Sequence, residues 1–140
     1  MNRHGLADGL IGLDTNVILR YLLRDDETQY AAAAKILESL SEKTPGLLTS
    51  VNLAELYWVL QRAYRLPREV CLDMIRRLLE VDVLEFDDGE GAVQALDLAE
   101  NGADLADALI HTSFQQVGVT DAVTFDRSAS RLLGWRLLGD

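Results

Sequence analysis

The sequence predicts an α/β domain: a three-layer α/β/α sandwich around a four- to five-stranded, mainly parallel sheet. Three observations predict it. Short apolar runs alternate with longer segments of helical period along the whole chain. The apolar runs are continuous rather than alternating, as expected of strands covered on both faces. With 140 residues and 49% hydrophobic content, the chain has the size and composition of a single domain with a core of its own.

Residues 1–9 carry no period and read as an unstructured preface, so the domain is expected to span residues 10–140. Gly9–Leu13 is short, apolar and closed by Asp14, which reads as a buried strand. Val17–Leu23 reads as a short core helix. Thr28–Leu40 repeats Tyr30, Ala33, Ala34, Leu37 and Leu40 at helical spacing. Leu47–Thr49 follows the Pro45-Gly46 turn as a second strand. Asn52–Arg65 is a helix with Leu53, Leu56, Tyr57, Leu60 and Tyr64 on one stripe, and Arg68–Glu80 is another. Val81–Phe86 reads as a third strand. Glu90–Glu100 is helical up to the Asn101-Gly102 stop signal, and Ala103–Val117 is helical up to Gly118. Ala122–Phe125 is a fourth strand, a short helix runs to Leu133, and Trp135–Leu138 is a candidate fifth strand.

Composition narrows the function. The formal net charge is -10, which argues against gripping nucleic acid by bulk positive charge. One cysteine, Cys71, excludes a disulfide framework and a CxxC zinc site, and two distant histidines exclude HExxH. No P-loop and no GxGxxG after the first strand are present. No apolar run approaches the ~20 residues of a membrane span, and the first twenty residues lack signal-peptide character. A cytoplasmic location is the expectation.

In parallel α/β folds ligands sit beyond the carboxyl ends of the strands. Asp14 ends the first strand, Asp126 follows the fourth, and Asp104 and Asp107 open the helix before it. Glu55 lies early in the helix after the second strand. Each aspartate also has a plainer reading as a helix cap or first-turn acid. Glu55 fits that reading least, with Val51, Trp58 and Val59 at i−4, i+3 and i+4 instead of a basic partner. Two carboxylates about 4 Å apart repel by ~4 kcal/mol at an effective dielectric of 20. Several on one rim call for a hard divalent cation, and oxygen-only ligands suit Mg²⁺ or Mn²⁺. Such a site suits phosphodiester hydrolysis.

The run from Leu13 to Leu22 (Leu-Asp-Thr-Asn-Val-Ile-Leu-Arg-Tyr-Leu) resembles the opening motif of PIN-domain ribonucleases. Leu53-Ala54-Glu55-Leu56, Ala103–Ile110 and Val123-Thr124-Phe125-Asp126 resemble the second, third and fourth motifs, in family order. The compact length further resembles the VapC toxins of VapBC toxin–antitoxin modules. The resemblance implies that Asp14 and Asp107 hold Mg²⁺, with Mn²⁺ as a substitute. It implies that Glu55 and Asp126 complete the catalytic acids, and that Asn16, Asp104 and Thr124 support them. It also implies endonucleolytic cleavage of structured RNA such as tRNA or rRNA, a homodimer, and a VapB-type antitoxin through which alone DNA would be contacted. Toxins of this type begin close to the first strand, so residues 1–9 are expected to be additional to the natural start. A non-catalytic partner-binding or co-repressor subunit is the alternative, against which four intact acids argue. A flap-type DNA nuclease needs more chain than is present.

Several further residues have both a bland and a functional reading. His111 shares a helix face with Asp104 and Asp107 but reads as a rim residue without a chemical role. Eleven of the 13 basic residues are arginine, and Arg20, Arg24, Arg62, Arg65 and Arg68 are candidates to flank the groove. Tyr57, Trp58 and Tyr64 read as core or interface more readily than as base-stacking residues.

Overall fold

The computed structural model describes residues 9–139. Its elements follow the predicted order: β1 (Ile11–Gly12), α1 (Thr15–Leu23), α2 (Glu27–Ser39), β2 (Gly46–Leu48), α3 (Ser50–Arg62), α4 (Arg68–Leu79), β3 (Leu84–Phe86), α5 (Gly89–Glu100), α6 (Leu105–Gln116), β4 (Val123–Thr124), α7 (Arg127–Leu133) and β5 (Arg136–Leu137). Residues 1–8 of the expected preface lie outside the described residues. Gly9 donates its backbone N–H to Lys43 O at 3.3 Å.

All the strand pairings are parallel, and β2 is central between β1 and β3. β4 and β5 form a second, two-stranded parallel ladder. The strands thus fall into ladders of three and two. β1 and β4 are each two residues long, with Ile11 and Val123 exposed, and so offer little edge for a joining ladder. β3 is shorter than Val81–Phe86 because Val81 and Leu84 donate to Leu78 O and Val81 O. These bonds fold residues 81–83 into the turn that closes α4.

The core gathers the predicted stripes. Ile18 of α1, Leu48 of β2, Leu53 and Leu60 of α3, Ile75 of α4 and Leu96 of α5 are fully buried. Gly46 matters at the centre of the sheet, because a Cβ there would meet Leu13 Cδ1 at 2.8 Å and Leu40 Cδ1 at 2.9 Å. Cys71 is buried in this core, and burial pushes its thiol pKa up, so it behaves as a small apolar side chain. No helix among the described residues is long and apolar enough to cross a membrane.

The register fixes one edge of the sheet. Gly12 pairs with Leu47 and Leu47 with Glu85. Two residues further along each strand, Asp14, Thr49 and Asp87 form a row at the carboxyl ends. Two helices start from this row, α1 at Asp14 and α3 at Thr49, and α5 starts one residue past it at Asp88.

Candidate active site

Three of the candidate acids cap helices. Asp14 caps α1, its Oδ1 accepting from Thr15 N at 2.9 Å. Asp104 caps α6, its Oδ2 accepting from Asp107 N at 3.0 Å. Asp126 caps α7, its Oδ1 accepting from Ser128 N at 2.8 Å and Ala129 N at 3.1 Å. The plain reading of these aspartates is therefore correct, and it leaves a second role open. An ionised carboxylate offers about four lone-pair sites, and a cap occupies one or two of them.

Asp107 is different. It sits in the first turn of α6, half-buried. Burial pushes its carboxyl pKa above the ordinary range, and the negative charges of Asp104 and Asp126 push it further in the same direction. The start of α6 and the end of β4 therefore share one electrostatic neighbourhood. Asp126 is aimed from there by Thr124, whose Oγ1 accepts from Asp126 N at 2.9 Å.

The start of α1 is tied to α3 through Thr15, the residue after Asp14. Asn52 Nδ2 donates to Thr15 Oγ1 at 3.0 Å. Asn52 Oδ1 in turn accepts from Thr49 N at 2.8 Å and Thr49 Oγ1 at 2.9 Å, and Asn52 N donates back to Thr49 Oγ1, closing a capping box. Asn52 thus locks the first turns of α1 and α3 together. The sequence reading missed it, although Thr49-x-x-Asn52 carries the capping-box spacing. Asp87, also missed, accepts from Ser50 N at 3.0 Å and Ser50 Oγ at 3.3 Å, which anchors α3 to the end of β3. Asn16 is exposed and lines a groove with Val17, Arg20 and Gln29.

Glu55 is not shielded as its apolar neighbours suggested. Val51 and Trp58 are themselves exposed, so Glu55 lies on the face of α3 turned away from the core. Tyr57 on the buried face lies close to Arg68 and to the Asp104 carboxylate, and burial raises its pKa. Arg68 NH2 donates to the carbonyls of Ala99 and Ala103, bridging the end of α5 to the residue before the α6 cap. Both alanines are buried, so their carbonyls have little water to turn to. Arg68→Ala is expected to cost about 2–3 kcal/mol of stability and to loosen the first turn of α6. Urea unfolding and amide exchange at Leu105–Ala108 measure the two effects.

His111 turns from the acids to Trp135, whose Nε1 donates to His111 Nδ1 at 2.9 Å. Its role is to hold the C-terminal strand region, in line with the bland reading. Tyr57 is core, and Tyr64 bonds Asp25 and Arg20.

Asp107 lies within electrostatic reach of Asp104 and Asp126, and like charges repel. Among the described residues no three His, Cys, Asp or Glu side chains already converge to enclose a cation. The chemistry of the donors nevertheless suits a hard divalent ion. The donors are carboxylate oxygens, and Asp107 already carries the strain of its unneutralised neighbours. The family model described as PIN domain matches residues 11–133. No curated protein matches the chain.

Proposed function

Because the chain belongs to the PIN domain family, whose members are in general hydrolytic nucleases, we propose that it is a Mg²⁺- or Mn²⁺-dependent endoribonuclease serving as the toxin of a toxin–antitoxin pair. The observation that carries the reading is Asp107. A half-buried carboxyl, made harder to ionise by Asp104 and Asp126, gains most when a cation arrives.

In this reading Asp14 and Asp107 hold the ion, and Glu55 and Asp126 complete the acidic set. When bound, the ion supplies a more acidic water and charge stabilisation at the phosphoryl oxygens. The protein supplies position. The caps fix Asp14 and Asp126 at the starts of α1 and α7, so neither carboxylate pays much rotamer entropy on binding. Asp104 aims the first turn of α6 through Asp107 N, and Thr124 aims Asp126. Asn52 keeps the starts of α1 and α3 in fixed relation. RNA as substrate, a VapB-type antitoxin, a homodimer and a cytoplasmic location belong to the same proposal.

Thermal unfolding with added Mn²⁺ tests the metal part without any substrate. At one hundred times Kd the ion is expected to add about 2.7 kcal/mol, a rise of roughly 10 °C for a chain of this size. The double variant Asp14→Asn, Asp107→Asn is expected to lose the shift. Unchanged melting of the wild type across millimolar Mn²⁺ and Mg²⁺ would contradict the assignment. Induced expression in bacteria tests the toxin role: growth arrest by wild type and normal growth with Asp107→Asn is the expected pair.

A further inference from the structure

The buried stripe of α3 is Leu53, Leu56, Tyr57 and Leu60. The opposite face carries Val51, Glu55, Trp58 and Arg62, at intervals of four, three and four residues, which is one helix face. This face is open: Val51 is 76% exposed and Trp58 56% exposed. The Arg62 guanidinium lies 5.7 Å from the centroid of the Trp58 ring.

Three of the other arginines near this region are engaged, while Arg65, like Arg62, is exposed and has no carboxylate partner among the described residues. Arg20 bonds Asp25 and Tyr64, Arg24 bonds Glu27, and Arg68 bonds two carbonyls. Arg62 has no carboxylate partner among the described residues, and its exposed head is held only over the indole. An exposed aromatic plane and an uncommitted cation therefore stand beside Glu55, in a chain whose net charge is -10. A ligand that brings a flat ring together with a phosphate is complementary to both groups.

We infer that Trp58 and Arg62 form a base-stacking subsite that receives an unpaired nucleotide of the RNA flanking the cut, Trp58 stacking the base and Arg62 contacting its phosphate. The inference rests on the ribonuclease reading. It assigns these two residues to substrate positioning, with no part in the chemistry.

The test titrates the full chain with an unstructured mixed-sequence 12-nucleotide RNA in EDTA, where binding is read without metal-dependent hydrolysis. Stacking is expected to quench the exposed Trp58, and Trp58→Phe to remove that quench. Trp58→Ala is expected to weaken binding about tenfold or more. Arg62→Gln is expected to weaken it less and to lower the salt dependence by the share of one phosphate contact. Trp58 is outside the core, so circular dichroism of the variants should match wild type. Cleavage with Mg²⁺ is measured in parallel. If the wild type cleaves and Trp58→Ala has the same KM and affinity, the subsite is overturned and the nuclease reading stands. If RNA quenches Trp58 but is never cut, the nuclease reading falls and the role of the subsite beside a cut is overturned with it, although the stacking itself is observed. No RNA binding by the wild type overturns both. If Trp58→Ala breaks a dimer in sedimentation without changing RNA affinity, the face belongs to a second copy and the subsite is overturned.

Discussion

Asp107→Asn is expected to lower RNA cleavage about a thousandfold and, at the same time, to make the metal-free protein more stable at neutral pH. The first effect follows from losing a ligand to an ion that stabilises transition-state charge by several kcal/mol, at about 1.4 kcal/mol per decade of rate. The second follows from linkage. Burial and the charges of Asp104 and Asp126 raise the Asp107 pKa in the folded state. The folded protein therefore holds its proton to higher pH than the unfolded chain does. Below the unfolded value of about 3.9 both states are protonated and nothing is lost. As pH rises from there through the folded value, ionisation penalises the folded state, and the penalty is complete above it. An amide carries no charge and escapes this. The variant should melt higher than wild type at pH 7 in EDTA, with the gap closing at low pH. Saturating Mn²⁺ should reverse the order. Circular dichroism melts at several pH values measure it, and a variant less stable than wild type at pH 7 in EDTA would refute the electrostatic account.

Leu60→Ala carries the largest expected cost to the fold. Leu60 is 0% exposed and sits on α3 where that helix packs against its neighbours in the core. Truncation removes buried methyl groups and leaves a cavity, at a cost of about 2–5 kcal/mol, or a melting temperature lower by roughly 10 °C. α3 also carries Asn52 and Glu55, so activity at 37 °C should fall through loss of folded protein. Activity per folded molecule at low temperature should be kept. A loss below 1 kcal/mol in urea unfolding would mean that the α3 core collapses to fill the space.

The fold was legible because each element carries its own period. Leu53, Leu56, Tyr57 and Leu60 of the α3 stripe and the Asn101-Gly102 stop lie where the sequence puts them, whereas Tyr64 falls beyond the end of α3. The strands were less legible, because two-residue ladders such as β1 and β4 leave no pattern of their own, and the Val81–Val83 turn is as apolar as the strand it precedes. At the site, residue identity marked Asp14, Asp104, Asp107 and Asp126, and motif order reinforced them. Side-chain environment was not legible: of the apolar neighbours of Glu55 in sequence, Val51 and Trp58 prove to be exposed in space. Asn52 was hidden because its work is a bond across 37 residues to Thr15, and nothing local signals that partner. The arginines divide into engaged and open ones only once their carboxylate and carbonyl partners are known.

The most direct test of the central claim, that these acids run metal-dependent RNA cleavage, is 5′-end mapping of total RNA. The RNA is incubated with purified, partner-free protein in Mg²⁺, in Mn²⁺, in EDTA, and with Asp107→Asn. The account predicts discrete new 5′-phosphate ends with wild type and metal, and none in EDTA or with the variant. Cleavage that persists in EDTA, or at the wild-type rate in Asp107→Asn, would contradict it.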